Sequence, residues 1–160
     1  MTLANLHRID QCLVYGNIRI DGGLSVVELL LLEKNETSEC LVQTFEHNQF
    51  IDAFLWSERT HHFLVLTKSE IIVYEREFML ELQWRELLRI PLLRDLHYQQ
   101  GSFVFPLFFV VTPEEATIMN ILTSASHLFT ANELSVCAYR NAVMSYTGTY
   151  LAVPPPPPLP

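Results

Sequence analysis

Three short apolar runs follow one another in the middle of the chain, separated by two polar breaks. They span residues 50–56, 62–66 and 71–74. Runs of this length, rich in β-branched and aromatic residues and divided by short charged turns, predict an antiparallel meander. In the middle run, Phe63 and Val65 point to one face and Leu64 and Leu66 to the other, so both faces are apolar. Such a strand must be covered on both sides, and we expect this sheet to be stacked between other layers.

Further strands are predicted on both sides of this meander. Two apolar stretches flank Asp21-Gly22-Gly23, and they predict a β-hairpin because glycine supplies the positive φ that tight turns need. Pro106 interrupts the apolar stretch 103–111, which predicts either an edge strand or two short strands there. The other predicted strands are 13–20, 24–32, 40–45, 79–84, 127–130, 134–140 and 142–153.

One helix is indicated near the end of the chain. The sequence Thr112-Pro113-Glu114-Glu115 is a capping box with proline at the first helical position. An apolar stripe at helical spacing follows, made by Ile118, Ile121, Leu122 and Ala125. These signals predict a single helix near 113–126, inserted among the strands.

Composition limits the class of molecule. The chain has 160 residues, of which 49% are hydrophobic and 18% charged, and its formal net charge is −8. A chain of this length buries roughly two-thirds of its unfolded surface as one domain, and we assign residues 1–153 to a single mainly-β domain. An acidic chain without a basic stripe is not expected to bind nucleic acid. The hydrophobic excess indicates either a large core or apolar surface meant for a partner.

The cysteines and the terminal sequence favour a cytoplasmic or nuclear protein. Cys12, Cys40 and Cys137 are odd in number and far apart, which is typical of reduced thiols. No basic segment followed by an apolar one opens the sequence, so a secretory signal is not expected. The longest near-continuous apolar stretch, 103–111, is about half the length of a membrane span, and no membrane span is predicted.

Two groups of side chains are candidates for chemistry. His61-His62 has the residue type of a metal or acid–base site, but neighbours on a strand point to opposite faces, so the two rings are not expected to share an ion. Asp52 lies in an apolar run, where a carboxylate is either tuned for proton transfer or bonded to backbone amides. No nucleotide-binding or hydrolase motif occurs in the sequence. We therefore expect no catalysis, no metal and no cofactor.

A weak internal pattern relates three segments. It is seen at 24–28, 71–75 and 136–140, with offsets of 47 and 65 residues. Together with Phe54-Leu55-Trp56-Ser57 and the strand 63–67, it resembles the blades of WD40-like β-propeller proteins, with Tyr74-Glu75 in the place of the family's Trp-Asp pair. The resemblance covers about one blade, 45–84, and two partial ones.

The resemblance implies a particular architecture and role. A propeller closes with at least four blades, and 160 residues provide about three, so the resemblance implies a fragment, a truncated product, or one part of a propeller completed by a partner. The alternative is a compact α+β domain, with a curved antiparallel sheet and one packed helix, that binds a small ligand or peptide in a sheet–helix groove beside 113–126. The first interpretation predicts a non-catalytic protein–protein interaction module, a scaffold or subunit of a larger assembly.

The last seven residues predict a second way of binding partners. A polyproline segment is extended before it binds, which lowers the entropy cost of docking into the aromatic grooves of SH3, WW or profilin-type domains. The predicted partner-binding residues are Pro154, Pro155, Pro156, Pro157, Pro158, Leu159 and Pro160.

Overall fold

The computed structural model describes residues 6–9, 12–33, 39–77 and 82–154. Its regular structure is almost entirely antiparallel β, which confirms the predicted mainly-β class of antiparallel meanders. The first sheet contains β1 (Leu6–Ile9), β2 (Cys12–Asp21), β3 (Leu24–Glu33) and β4 (Cys40–His47). The second contains β5 (Ala53–Ser57), β6 (His62–Leu66), β7 (Glu70–Glu77) and β8 (Gln83–Pro91). The third contains β9 (Gln100–Val104), β10 (Leu107–Val111), β11 (Ala116–Asn120) and β12 (Ser126–Thr130).

The strands of each sheet follow one another in chain order, so every sheet is a simple meander. A separate hairpin is formed by β13 (Val143–Met144) and β14 (Leu151–Ala152). The chain divides into two compact units, Met1–Asp95 and Leu96–Pro160, which we call the N-terminal and C-terminal units. The first two sheets belong to the N-terminal unit, and the third sheet and the hairpin belong to the C-terminal unit. The single domain expected over 1–153 stays a prediction.

The central meander has the buried character that its sequence predicts. Phe63, Leu64 and Val65 are 0% exposed and Leu66 is 1% exposed, although alternate side chains of β6 point to opposite faces of the sheet. Both faces of this strand are therefore covered. The hairpin at Asp21-Gly22-Gly23 is also confirmed, and both of its glycines have positive φ, at 56° and 89°.

Two other strand predictions have a clear outcome. The stretch 103–111 forms two strands, β9 and β10, on either side of a two-residue turn that contains Pro106. Of the predicted strand 79–84, residues 79–81 lie outside the described residues, and β8 begins at Gln83.

Each of the three meanders carries one extra residue in its fourth strand. The pairing register slips by one position in β4 at Val42, in β8 at Leu87 and in β12 at Phe129. A residue that is skipped in this way is a β-bulge, which bends the strand and increases its twist. The three sheets thus share a design that the sequence pattern did not indicate.

The second and third meanders also share the turn between their second and third strands. In both, a buried threonine hydroxyl accepts hydrogen bonds from the backbone N–H groups two and three residues later. Thr67 accepts from Ser69 and Glu70, at 3.4 and 3.2 Å. Thr112 accepts from Glu114 and Glu115, at 3.3 and 3.1 Å. The backbone N–H of each threonine donates to the carbonyl of the glutamate three residues later.

The predicted helix near 113–126 is wrong, and this shared turn explains why. The capping hydrogen bonds of Thr112 are present, but its own N–H donates to the carbonyl of Glu115 at 2.9 Å and closes a turn. The chain then continues as β11, which pairs with β10 from Ala116 to Asn120. An ST-turn and a helix N-cap use the same local hydrogen bonds, so the sequence alone does not separate them. The sheet–helix groove of the α+β alternative is lost with this helix.

A short helix occurs later than predicted. α1 (Glu133–Val136) is capped by the side chain of Asn132, which accepts from the N–H of Leu134. A 3₁₀ turn, Cys137–Tyr139, follows it. The strand predicted over 134–140 is therefore wrong, and so is the third copy of the internal pattern. The strand predicted over 142–153 is in fact the hairpin β13–β14 with a turn between its strands.

Aromatic side chains fill the core of the N-terminal unit, where the first two sheets face each other. Phe63 stacks on Phe54 and Tyr74, with ring centroids 5.1 and 4.6 Å apart. Apolar residues of the first sheet, including Val27 and Leu29, belong to the same cluster. The side-chain amide of Gln43 on β4 joins the two outer strands, because it donates to the carbonyl of Trp84 on β8 and accepts from its N–H, at 2.7 and 2.9 Å.

The C-terminal unit has its own core. Val136 and Ala142, which are 0% exposed, pack with Phe109 and Val111 of the third sheet. Phe129, the bulged residue of β12, stacks on Tyr139 with a centroid distance of 5.6 Å. The segment that follows β12 thus covers one face of the third sheet.

The shared turn gives a paired prediction. Replacing Thr67 or Thr112 by valine keeps the side-chain shape but removes the acceptor for two backbone N–H groups. We expect each change to lower the free energy of unfolding by about 1–2 kcal/mol, measured by urea denaturation. Thr147 is an exposed control, and its replacement by valine should cost less than about 0.5 kcal/mol. Equal stability of all three variants would show that the turn hydrogen bonds contribute nothing.

Candidate functional site

A cluster of polar side chains joins β1 to the turn between β5 and β6. The imidazole of His7, on β1, is 0% exposed. Its Nδ1 lies 2.8 Å from Oε2 of Glu58, and its Nε2 lies 2.8 Å from Nδ1 of His61. Its ring stacks on Trp56 with a centroid distance of 4.4 Å and an interplanar angle of 11°. We call His7, Glu58, His61 and Trp56 the histidine cluster.

The hydrogen bonds of the cluster define which atoms carry protons. Burial lowers the pKa of His7 from 6.5 to about 3, with further lowering by His61 and Arg76, so the ring is neutral near neutral pH. A neutral imidazole has one donor and one acceptor. The carboxylate of Glu58 can only accept, so His7 donates from Nδ1 and accepts at Nε2 from Nδ1–H of His61. Burial also raises the pKa of Glu58, while the backbone of Arg8 donates to it and lowers the pKa.

The turn that carries His61 is also held by a hydrogen bond from β8. His61 has a positive φ of 58°, which is uncommon for a residue with a side chain. Its carbonyl accepts from Nε1–H of Trp84 on β8 at 2.8 Å, and Trp84 is 1% exposed. Ser57 and Thr60 are joined across the same turn through their hydroxyl groups, 2.6 Å apart. The cluster is therefore held on a rigid turn at the edge of the aromatic core.

A second buried histidine lies elsewhere in the N-terminal unit. Nε2 of His47 on β4 lies 2.9 Å from the hydroxyl of Tyr74 on β7. Burial lowers the pKa of His47, with Arg89 adding to this, whereas burial raises the pKa of Tyr74 to about 12. Both groups are thus neutral near neutral pH, as a buried hydrogen-bonded pair requires.

The candidates named from the sequence are separated by the structure. His61 and His62 are neighbours, but His61 is in the turn and contacts His7, whereas His62 is on β6 opposite Ser57. Asp52 is exposed beside β5, and its backbone N–H donates to the carbonyl of Leu66 at 2.7 Å. Desolvation and the carboxylate of Asp95 raise the pKa of Asp52, while Lys68 lowers it. These candidates do not form a common site.

A second candidate is a surface of the C-terminal unit. Of the 10 basic and 18 acidic residues of the chain, only one basic and three acidic residues follow position 95. Large apolar side chains of this unit are nevertheless exposed. We call this set the uncharged surface, and it comprises Leu122, Leu128, Leu134, Val143, Tyr146, Tyr150 and Val153. Leu134 is 87% exposed and Tyr150 is 75% exposed, values that leave most of each side chain in contact with water.

The proline tail is only partly described. Pro154 is exposed and outside any strand or helix, and Pro155, Pro156, Pro157, Pro158, Leu159 and Pro160 lie outside the described residues. Among the described residues, no group of three or more His, Cys, Asp or Glu side chains is placed to hold a metal ion. Within the same ranges, none of the helices has the length and apolar character needed to cross a membrane.

No family model and no curated protein matches the chain. Among solved structures, it is similar to a functionally unknown protein from Desulfotomaculum acetoxidans DSM 771, with 16% sequence identity and a TM-score of 0.50. The similarity covers 74% of this chain and 43% of that chain, so the matched part is less than half of the neighbour. At this identity the likeness concerns the fold alone.

Sequence reasoning missed the residue at the centre of the histidine cluster. His7 lies 51 positions before Glu58 and 54 before His61, so no local motif joins them. His7 stands between Leu6 and Arg8, and no strand was predicted before residue 13. The uncharged surface was also missed, although the fall in charge after position 95 can be read directly from the sequence.

Proposed function

We propose that this chain is a non-catalytic protein–protein interaction module, a scaffold or subunit of a larger assembly. The observation that carries the proposal is the uncharged surface of the C-terminal unit. Exposed large apolar side chains are typical of surfaces that bind other proteins, and the C-terminal unit has seven of them with few charged residues. The order of the sheets adds support, because consecutive four-stranded meanders are the units from which propeller-type interaction scaffolds are built.

The chemistry of the surface restricts its partner. The unit has only one basic and three acidic residues, so a charged group of the partner buried there would find few opposite charges and would lose its hydration. We therefore propose that the partner is another protein subunit with an apolar, uncharged face. Tyr146 and Tyr150 would supply the anchors of the contact, because tyrosine combines a large apolar ring with a hydroxyl that hydrogen-bonds at the rim.

The polyproline tail would add a separate binding mode. It follows the uncharged surface directly, so one partner assembly is able to contact both. We propose SH3, WW or profilin-type domains as partners of Pro154–Pro160, through the same extended conformation that the sequence predicts. A cytoplasmic or nuclear location, where such domains occur, is part of this proposal.

The surface and the tail are tested together by co-purification of the tagged full chain from cells. We expect the double variant Leu134→Glu with Tyr150→Glu to lower the recovery of a stoichiometric partner at least tenfold, because burying each unpaired charge costs roughly 1.4 kcal/mol or more. The control is Leu93→Glu, at a fully exposed leucine of the N-terminal unit, and it should leave recovery unchanged. A chain without Pro154–Pro160 should lose only partners that contain SH3, WW or profilin-type domains.

Partner recovery is compared among the wild type, the double variant and the Leu93→Glu control. Circular dichroism should first show that every variant retains its β structure. Recovery that is equal for the wild type and the double variant would refute the uncharged surface as the binding site. Loss of recovery with Leu93→Glu as well would indicate a general effect of added charge and would equally refute it.

A further inference from the structure

We propose that His7 is an acid-sensitive latch. It holds β1 against the rest of the N-terminal unit and releases it as the pH falls. β1 has four residues and pairs only with β2 among the described strands. A strand this short contributes few backbone hydrogen bonds, so side-chain contacts must supply much of its attachment. His7 supplies part of this attachment through its stacking on Trp56 and its bonds to Glu58 and His61, and Ile9, which is 3% exposed, packs in the core of the same unit.

The full burial of His7 favours a neutral ring, and the hydrogen bonds described above are those of the neutral form. Its Nε2 accepts a hydrogen bond from His61, and a protonated imidazole has no acceptor atom. Protonation would place an N–H on Nε2, so the contact with His61 would be kept only if His61 moved its own proton from Nδ1 to Nε2. The charged groups that face the ring are the carboxylate of Glu58 and, from β7, the guanidinium of Arg76, while Arg8 lies beside Glu58. Glu58 favours a cation, but Arg76, His61 and burial oppose it.

Proton linkage sets the size of the effect. The pKa of His7 is about 3 while β1 is docked and returns to about 6.5 when β1 is released. A group whose pKa is lower in the docked state favours docking above 6.5, and this advantage is lost as the pH falls. Between pH 6.5 and pH 3, each unit of acidification raises the released fraction about tenfold. From pH 7.5 to pH 5.5 the released fraction therefore rises about tenfold.

Release of β1 would make β2 the edge strand of the first sheet. β2 lies between β1 and β3, so its outer backbone groups become the edge when β1 leaves. An edge of this kind is able to accept an added strand from another protein. The latch thus differs in place and in chemistry from the uncharged surface, and it does not depend on that proposal.

Amide hydrogen exchange of the full chain tests the latch. The exchange of β1 and of β6 is measured at pH 7.5 and pH 5.5 and corrected for the intrinsic effect of pH on exchange. We expect the opening of β1 to increase about tenfold, with no matching increase in β6. The variant His7→Phe keeps an aromatic ring for Trp56 but has no group to protonate, and in it we expect the pH dependence of β1 to disappear.

The native chain alone is sufficient to refute the proposal. Equal opening of β1 at the two pH values would refute it. A parallel increase in the opening of β6 would also refute it, because it would show global loosening instead of local release. A folded His7→Phe variant that retains the tenfold change would do so too. If His7→Phe does not fold, His7→Gln, which is also neutral at both pH values, takes its place with the same expected result.

Discussion

Replacement of Phe63 by alanine is expected to lower the free energy of unfolding by about 3–5 kcal/mol, the range typical of a buried phenylalanine. Phe63 is 0% exposed and lies at the centre of the aromatic core, stacked between Phe54 and Tyr74. The edge of Trp56 completes the contact at a centroid distance of 5.2 Å. Removing the ring would leave a cavity among rigid neighbours, which have little freedom to close it.

The chain contains a matched control for this substitution. Phe50 is 61% exposed, so Phe50→Ala removes the same atoms from a site that is mostly in water. It should change the free energy of unfolding by less than about 1 kcal/mol. Urea denaturation followed by tryptophan fluorescence measures both variants. A similar loss for the two phenylalanines would show that Phe63 is not a central part of the core.

The second large effect is expected at Gly16, in the middle of β2. A Cβ atom at this position would lie 2.5 Å from Cζ and 2.7 Å from Cε1 of Phe54. Real Cβ atoms do not approach other atoms so closely, and Phe54 is held between Trp56 and Phe63. We expect Gly16→Ala to lower the free energy of unfolding by about 1–3 kcal/mol through overpacking.

A double-mutant cycle separates this steric effect from others. Phe54→Leu shortens the opposing side chain and removes the ring atoms that meet the new methyl group. The double variant should therefore be more stable than the sum of the single changes predicts, by about 0.5–3 kcal/mol. Thermal denaturation of the four proteins provides the measurement. Additive effects would mean that Gly16 is required for a reason other than the ring of Phe54.

The sequence correctly predicted those elements whose own residues are enough to decide their conformation and burial. Alternate residues of β6 are apolar on both faces, and the glycines of the first hairpin have few alternatives to a turn. The segment after Thr112 was misjudged because its turn uses the hydrogen bonds of a helix cap. Only the pairing of β11 with β10, a contact outside the segment, decides between the two conformations.

The site was less predictable than the fold. His61 was identified as a residue of interest, but its partner His7 is on another sheet and more than 50 residues away. A single sequence contains no record of such a contact, because the contact depends on how two sheets pack. The composition indicated apolar surface for a partner as one of two possibilities, but it did not indicate which side chains are exposed, because exposure depends on packing.

The bulges at Val42, Leu87 and Phe129 have a consequence for the behaviour of the protein in concentrated solution. The outermost strand of a sheet is a template on which further molecules can add in register and grow into fibres. Growth of this kind needs a straight edge strand with evenly spaced backbone amides. The additional residue of a bulge breaks that spacing. Each of the three four-stranded sheets thus carries, within its last strand, an interruption that we expect to hinder polymerisation at that edge.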